Sequence, residues 1–268
     1  MKKLLITSGC SFSEPGPSPV NGSNWTTYLE GKLKLKGIHS GMGCQGNGLI
    51  YRRTLYSIYK ALQEYKPEEI LVGIMWSGPG RMDWYTSDAT ELPDIDNWDS
   101  ARGQKNPVTF IPGATGGWVY VNSHWSTDWA ENFYTSRYAD VTALQIRTYE
   151  LILNTQSFLK NLGIDYFMTT YTSSVFHSDD DDDKNINWMK DLIDFTSWLP
   201  VDGCLNWCYN HTNLPFLGQT TREDLGDEFG KFSSQDIERY GGEHPSSLQH
   251  KLFTEEVILP FLKQKNFI

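Results

Sequence analysis

This chain of 268 residues is short of cysteine, of basic charge and of long apolar runs, and each shortage removes a class of protein. Its 4 cysteines, Cys10, Cys44, Cys204 and Cys208, are too few and too scattered to staple a fold of this size. Cys204 and Cys208 are spaced to sit one helical turn apart, but a metal site needs further ligands and only His211 is near, so neither metal nor other cofactor is expected. Lys and Arg number 23 against 33 Asp and Glu, a formal charge of −10, which argues against a nucleic-acid partner because phosphate binding needs clustered cations. No apolar run is long enough to enter and cross a bilayer, and the Leu4-Leu5-Ile6 run after two lysines is too short for a secretory signal core; a cytoplasmic chain is expected. The five aspartates from Asp179 to Asp183 lack the ligand spacing and turn glycine of a calcium loop and read as a solvated acidic loop.

Aromatic residues are abundant, with 10 Trp, 14 Tyr and 13 Phe, enough both to fill a core and to wall a pocket for sugar rings. Apolar patterning gives strands at Lys3 to Thr7, Glu69 to Trp76 and Ile164 to Thr170, the second a continuous run of the kind buried on both sheet faces. Helical spacing covers Trp25 to Lys36, Asn47 to Glu64, Val141 to Leu162, Ile186 to Trp198 and Ser246 to Lys263, with Gly163 ending the third and Pro245 opening the last. Gly37 to Gly48 reads as a glycine-rich loop. Alternating strands and helices predict a three-layer α/β/α sandwich with a central parallel sheet, in one domain covering residues 1–268. Residues 83–140 break the rhythm, and their many Trp and Tyr predict a lid or pocket wall with a short strand at Val119 to Val121.

Ligands of open parallel sheets bind beyond the carboxyl ends of the strands. Ser11, Gly43 to Asn47, Ser77 to Arg81 and the loop after Thr170 all fall there. A nucleophilic serine needs a base and donors for an oxyanion. Of the 6 histidines, His39, His124, His177, His211 and His250 have no special local context, whereas His244 precedes a helix start that would expose its ring at the same rim. Cys10 is an alternative thiol nucleophile, set against the reading that it is a buried strand-end cysteine.

Four segments occur in an order that resembles a known pattern: GCSFS at Gly9 to Ser13, SGMGCQGNGLIYRR at Ser40 to Arg53, PEEILVGIMWSGPGR at Pro67 to Arg81, and EHPSSLQHKLF at Glu243 to Phe253. Together they resemble the blocks of the SGNH (GDSL-type) hydrolases, in a branch written GCSF. The resemblance implies a flavodoxin-like α/β/α fold and a serine esterase: Ser11 as nucleophile, His244 as general base, and oxyanion donors from the Ser11 and Gly43 backbone. The family's third donor is an Asn, which aligns with Ser77; Asn47 and Arg81 are candidates to support it. The family's Asp, which orients the histidine, aligns with Gly241-Gly242, leaving Glu243 and Asp236 as candidates or a Ser–His dyad. The substrate implied is a small acyl ester, commonly acetyl, on a carbohydrate or similar compound. Two alternatives stay open: a weak or inactive member that binds a glycan in the same crevice, and an O-acyltransferase using the same Ser and His.

Overall fold

Two-residue alternation in the apolar strands divides the core into two faces. Leu4, Ile6, Val72, Ile74 and Met168 pack to one side, and Leu5, Leu71, Met75 and Phe167 to the other. The computed structural model describes residues 1–15, 23–43, 45–87, 117–122, 141–176, 184–214, 216 and 244–268. Among these, β1 (Leu4–Gly9), β2 (Lys36–His39), β3 (Ile70–Trp76) and β6 (Asp165–Thr170) form a parallel sheet in the order β2-β1-β3-β6. Trp198 adds a single parallel bridge to Met168 at the β6 edge.

Helices cover both faces. The first face carries α2 (Asn47–Ala61), α3 (Val141–Leu162) and α4 (Lys184–Asp191), through Ile50, Ile58, Tyr149, Ile152, Ile186 and Met189. The second carries α1 (Trp25–Leu33), α5 (Cys204–His211), α6 (Ser247–Phe253) and α7 (Leu259–Gln264), through Trp25, Leu29, Trp207, Phe253, Phe261 and Leu262. The result is a three-layer α/β/α sandwich. Each large side chain fully buried in these layers contributes about 1.5–3 kcal/mol, so the sheet is a rigid base for the loops at its carboxyl edge. None of the helices among the described residues is long and apolar enough to cross a membrane.

Several elements differ from the sequence expectation for identifiable reasons. The first helix stops at Leu33 because Lys34 turns left-handed (φ 53°), and the segment read as a loop opens with the edge strand β2, which the weakly apolar KGIH did not reveal. The helix expected to reach Trp198 ends at Asp191. Asp194 then accepts from the Thr196 N–H and is held by Lys160 at 2.6 Å, which starts a 3-10 turn instead. The last helix starts one residue later than expected, capped by Ser246, and is interrupted by a π-helical turn at Thr254–Ile258 just before Pro260, which has no N–H to continue the ladder. Gly163 ends α3 with φ 69°, as its position predicts.

The aromatic interval has a definite base. β4 (Arg81–Thr86) pairs antiparallel with β5 (Gly117–Asn122), with Asp83 opposite Tyr120, so the departure from the sheet rhythm begins at Arg81 and includes the strand expected near Val119. Asp83 fastens this hairpin to α2. Its Oδ1 accepts the Leu49 N–H at 2.9 Å, a cap that Gly46 at the helix start cannot supply, and its Oδ2 accepts from Arg52. Arg52 in turn lies 3.8 Å from the Trp118 ring centre. The remaining insertion residues and the Asp179 to Asp183 run lie outside the described residues.

Candidate active site

The chain leaves β1 at Gly9 and turns at once into a 3-10 turn, Ser11–Ser13, which carries Ser11 off the strand end. The turn is tight enough that a Cβ at Gly9 would overlap the Ser13 side chain, and one at Gly41 would overlap the Ser13 carbonyl, so both positions need glycine for close approach. The start of α1 bolts the turn down from outside. Trp25 Nε1 donates to Ser13 Oγ at 3.0 Å, and the Asn24 amide, while capping α1, donates to the Glu14 carbonyl. Ser11 is thereby held almost fully buried, at 4% exposure.

The neighbouring strands bring the other expected groups to the same rim. Counting onward from the pairs Thr7↔His39 and Gly9↔Met75 puts Gly43 and Ser77 level with Ser11 along the chain. Gly43 is buried beside this loop. The buried Gln45 ties the loops together: its Nε2 donates to the Gly9 carbonyl and to the Ser40 carbonyl at 3.1 Å, while Arg53 donates to its Oε1 at 3.2 Å. The Met42 N–H also donates to the Gly9 carbonyl, at 3.2 Å.

Ser77 is fully buried and its hydroxyl has no hydrogen-bond partner among the described residues. Its backbone is held by Asn47. The Ser77 N–H donates to Asn47 Oδ1 at 2.8 Å, and Asn47 Nδ2 donates to the Ser77 carbonyl at 2.9 Å and to Thr148 Oγ1 at 3.1 Å. Asn47 therefore has no amide hydrogen left for a substrate, and the support expected of it takes the form of fixing Ser77.

His244 reaches this rim from the far end of the chain. It stands just before a helix start fixed by a reciprocal cap, in which the Ser246 N–H donates to Gln249 Oε1 at 2.9 Å and the Gln249 N–H donates back to Ser246 Oγ at 3.5 Å; Gln249 Nε2 also donates to Thr212 Oγ1 at 2.9 Å. Its Nε2 lies 2.8 Å from Ser11 Oγ. The Ser11 hydroxyl donates across this contact when the ring carries its proton on Nδ1. Phe12 packs against the imidazole with ring centres 4.8 Å apart and planes at 40°, and Tyr171 meets Phe12 edge-on at 5.6 Å.

Behind them sits His250, fully buried, with neither ring nitrogen hydrogen-bonded among the described residues and its ring edge-on to Phe12 at 6.3 Å. Burial, reinforced by His244, pushes the His250 pKa down to about 3, so it stays neutral where a general base works. Arg81, at the start of β4, places its guanidinium 5.7 Å from the Tyr171 ring centre. The two candidate carboxylates, Glu243 and Asp236, lie outside the described residues. Cys10 is fully buried in the second core cluster with Cys204 and Cys208, an inert setting rather than that of a reactive thiol. Among the described residues no group of three or more His, Cys, Asp or Glu is arranged to hold a metal ion.

Sequence reasoning singled out Ser11, Gly43, Ser77 and His244, but not Gln45, Phe12, Tyr171 or Asp83, which hold the site through contacts distant in the chain. A glutamine amid the glycines of Gly41 to Gly48 was the available signal for Gln45, since small residues on either side let a buried amide reach two carbonyls. A separate hollow of about 750 Å³ lies at the β6 edge between Trp198, Asp202, Trp207 and Phe261, and none of Ser11, Gly43, Ser77 or His244 lines it.

No protein-family model matches the chain. No curated protein sequence matches it either. Among solved structures, it is similar to an acetyl xylan esterase from Geobacillus stearothermophilus, at 12% identity and a TM-score of 0.42, over 99% of this chain and 95% of that one. An acetyl xylan esterase from the rumen bacterium Butyrivibrio proteoclasticus gives 12% identity and a TM-score of 0.38, over 100% of this chain and 65% of that one. A lipolytic protein of the G-D-S-L family from Desulfitobacterium hafniense gives 15% identity and a TM-score of 0.24, over 67% and 83%.

Proposed function

We propose that this chain is a serine esterase of SGNH type that hydrolyses a small acyl ester, with acetyl the acyl group of choice, on a carbohydrate or similar compound. The contact between Ser11 Oγ and His244 Nε2 at 2.8 Å carries the reading, because a hydroxyl becomes a nucleophile only when a base can take its proton as it attacks. Ser11 Oγ adds to the ester carbonyl carbon, its proton passes to His244 Nε2, and the carbonyl electron pair moves onto oxygen. The backbone N–H groups of Ser11 and Gly43 and the unpartnered Ser77 hydroxyl are the donors for that oxygen. Collapse of the adduct breaks the bond to the alcohol oxygen, which takes the proton back from His244. Water then attacks the acyl-enzyme with His244 again as base, releasing the acid and restoring Ser11. Phe12 keeps the imidazole plane fixed through both transfers. The insertion rooted on β4 and β5 forms a lid or substrate wall in this reading.

The test is release of p-nitrophenol from p-nitrophenyl acetate, together with labelling by a fluorophosphonate. The wild-type chain is expected to turn over and to be labelled at Ser11, and Ser11→Ala is expected to lose roughly a thousandfold or more in kcat. A folded wild-type protein that neither turns over nor reacts would leave the crevice as a binding site only. Acyl transfer to an added sugar in preference to water would identify an O-acyltransferase.

A further inference from the structure

One polar group at the rim is not used by the acyl-transfer reading. Arg81 opens β4 four residues after Ser77, and its Nη1 is buried with no hydrogen-bond partner among the described residues. A guanidinium is a permanent cation with five donors, and burying one of them without an acceptor is unfavourable unless something else supplies it. The carboxylate nearest in sequence is committed elsewhere: both oxygens of Asp83 are taken, by Leu49 N–H and by Arg52.

The surroundings say what Arg81 faces. Its guanidinium lies over Tyr171, Tyr171 meets Phe12, and Phe12 packs on His244, at 5.7, 5.6 and 4.8 Å. The imidazole that protonates the departing alcohol must stand beside the alcohol portion of the ester, so a wall that starts at His244 runs along that portion. Two aromatic rings separate Arg81 from His244 in this chain of contacts, which suits a substituent of the alcohol better than the reacting carbonyl. In a chain of formal charge −10, the overall field gives an anionic substrate no help, so recognition has to come from a local cation.

Resting on the esterase reading, we propose that Arg81 is a specificity residue that pairs with a carboxylate on the alcohol portion of the substrate. The substrate class is then O-acylated acids, and among glycans, O-acylated uronic sugars. A planar carboxylate matches the guanidinium fork, with the Tyr171 ring holding the guanidinium plane in place.

The experiment compares 4-acetoxybenzoate with its neutral analogue 4-acetoxybenzamide in the wild-type chain, Arg81→Gln and Arg81→Lys. The wild type is expected to prefer the acid in kcat/KM by roughly tenfold to hundredfold. Arg81→Gln should bring the ratio near one through KM, and Arg81→Lys should keep part of it. Equal losses on both substrates through kcat would show that Arg81 serves the oxyanion and would overturn the proposal, as would an unchanged ratio. A second arm needs no turnover: calorimetric binding of 4-hydroxybenzoate against 4-hydroxybenzamide to Ser11→Ala, with and without Arg81→Gln. Equal affinity for the two in Ser11→Ala alone overturns the proposal even if Arg81→Gln does not fold. Hydrolysis that survives in Ser11→Ala would instead overturn the esterase reading, and the binding arm would still decide the role of Arg81.

Discussion

Asn47 and Ser77, 30 residues apart, exchange two hydrogen bonds, from Ser77 N–H to Asn47 Oδ1 at 2.8 Å and from Asn47 Nδ2 to the Ser77 carbonyl at 2.9 Å. An amide side chain here imitates a strand neighbour and fixes the loop that leaves β3. Asn47→Ala removes both bonds and the one to Thr148, and leaves buried backbone groups without these partners. We expect a loss of about 2–3 kcal/mol in urea unfolding. The kcat on p-nitrophenyl acetate should fall with it, since Ser77 no longer has one position. Unchanged stability would show that the clamp contributes nothing.

Ser77 itself should behave in the opposite way. Its hydroxyl is buried and has no partner among the described residues, so no hydrogen bond there supports the fold. In Ser77→Ala stability should stay within about 0.5 kcal/mol or rise slightly, because an unsatisfied polar group has been removed. The kcat should fall by roughly tenfold to a thousandfold if the hydroxyl serves the oxyanion. Full activity in Ser77→Ala would leave the two backbone N–H groups as the whole oxyanion hole.

The contrast between these two residues shows what was legible in the sequence. The apolar strand before it marks Ser77 to Arg81 as a site stretch, since strand ends of a parallel sheet are site positions, and the resemblance of the sequence blocks is what singles out Ser77 within that stretch. Ser11 is legible as a strand-end residue and His244 as a loop histidine before a helix start, and the block order joins the two. Asn47 was noticed, but its role was not readable, because an amide at a helix start is as well placed to face a substrate as to hold a neighbouring loop. The edge strand β2 was missed since a four-residue strand with one strongly apolar side chain carries too little periodicity, and its residence in the sheet is settled by pairing with β1. The early end of α4 depends on Lys160 and Gln156 holding Asp194 across the fold, which no local pattern records.

The Asp83–Arg52 pair should respond asymmetrically to substitution. Burial pushes the Asp83 pKa up and the Arg52 pKa down, with their mutual attraction the smaller effect on each, so the pair is retained at a desolvation cost. Arg52→Leu strands a carboxylate whose side chain is 1% exposed, and about 3 kcal/mol should be lost at pH 7. Asp83→Asn should cost less, because the Asn oxygen still caps Leu49 and Arg52, 26% exposed, can reach water. Adding Asp83→Asn to Arg52→Leu should recover most of the loss. A raised folded-state pKa also fixes a sign: Arg52→Leu should lose less stability at pH 5 than at pH 7, because the folded chain holds a proton on Asp83 more tightly than the unfolded chain does. Chemical denaturation of the four chains at both pH values checks each point.

His250 sets the acid limit of the wild-type fold. Its pKa falls from 6.5 to about 3 on folding, chiefly through burial, so the native state binds fewer protons than the unfolded chain between those values. The stabilisation tied to its neutrality is complete above pH 6.5 and is lost as pH falls toward 3, at about 1.4 kcal/mol for each pH unit. His250→Leu removes this dependence along with two nitrogens that have no partner among the described residues. The variant should match or exceed wild-type stability at pH 7, and the gap should widen in its favour at pH 5. Because Phe12 lies between His250 and the Ser11–His244 pair, turnover at pH 7.5 should report whether Leu supports that ring equally well. Parallel stability curves for the two proteins between pH 7 and 5 would mean that His250 already titrates in the folded state near its ordinary value, and that its burial is looser than its packing against Phe12 implies.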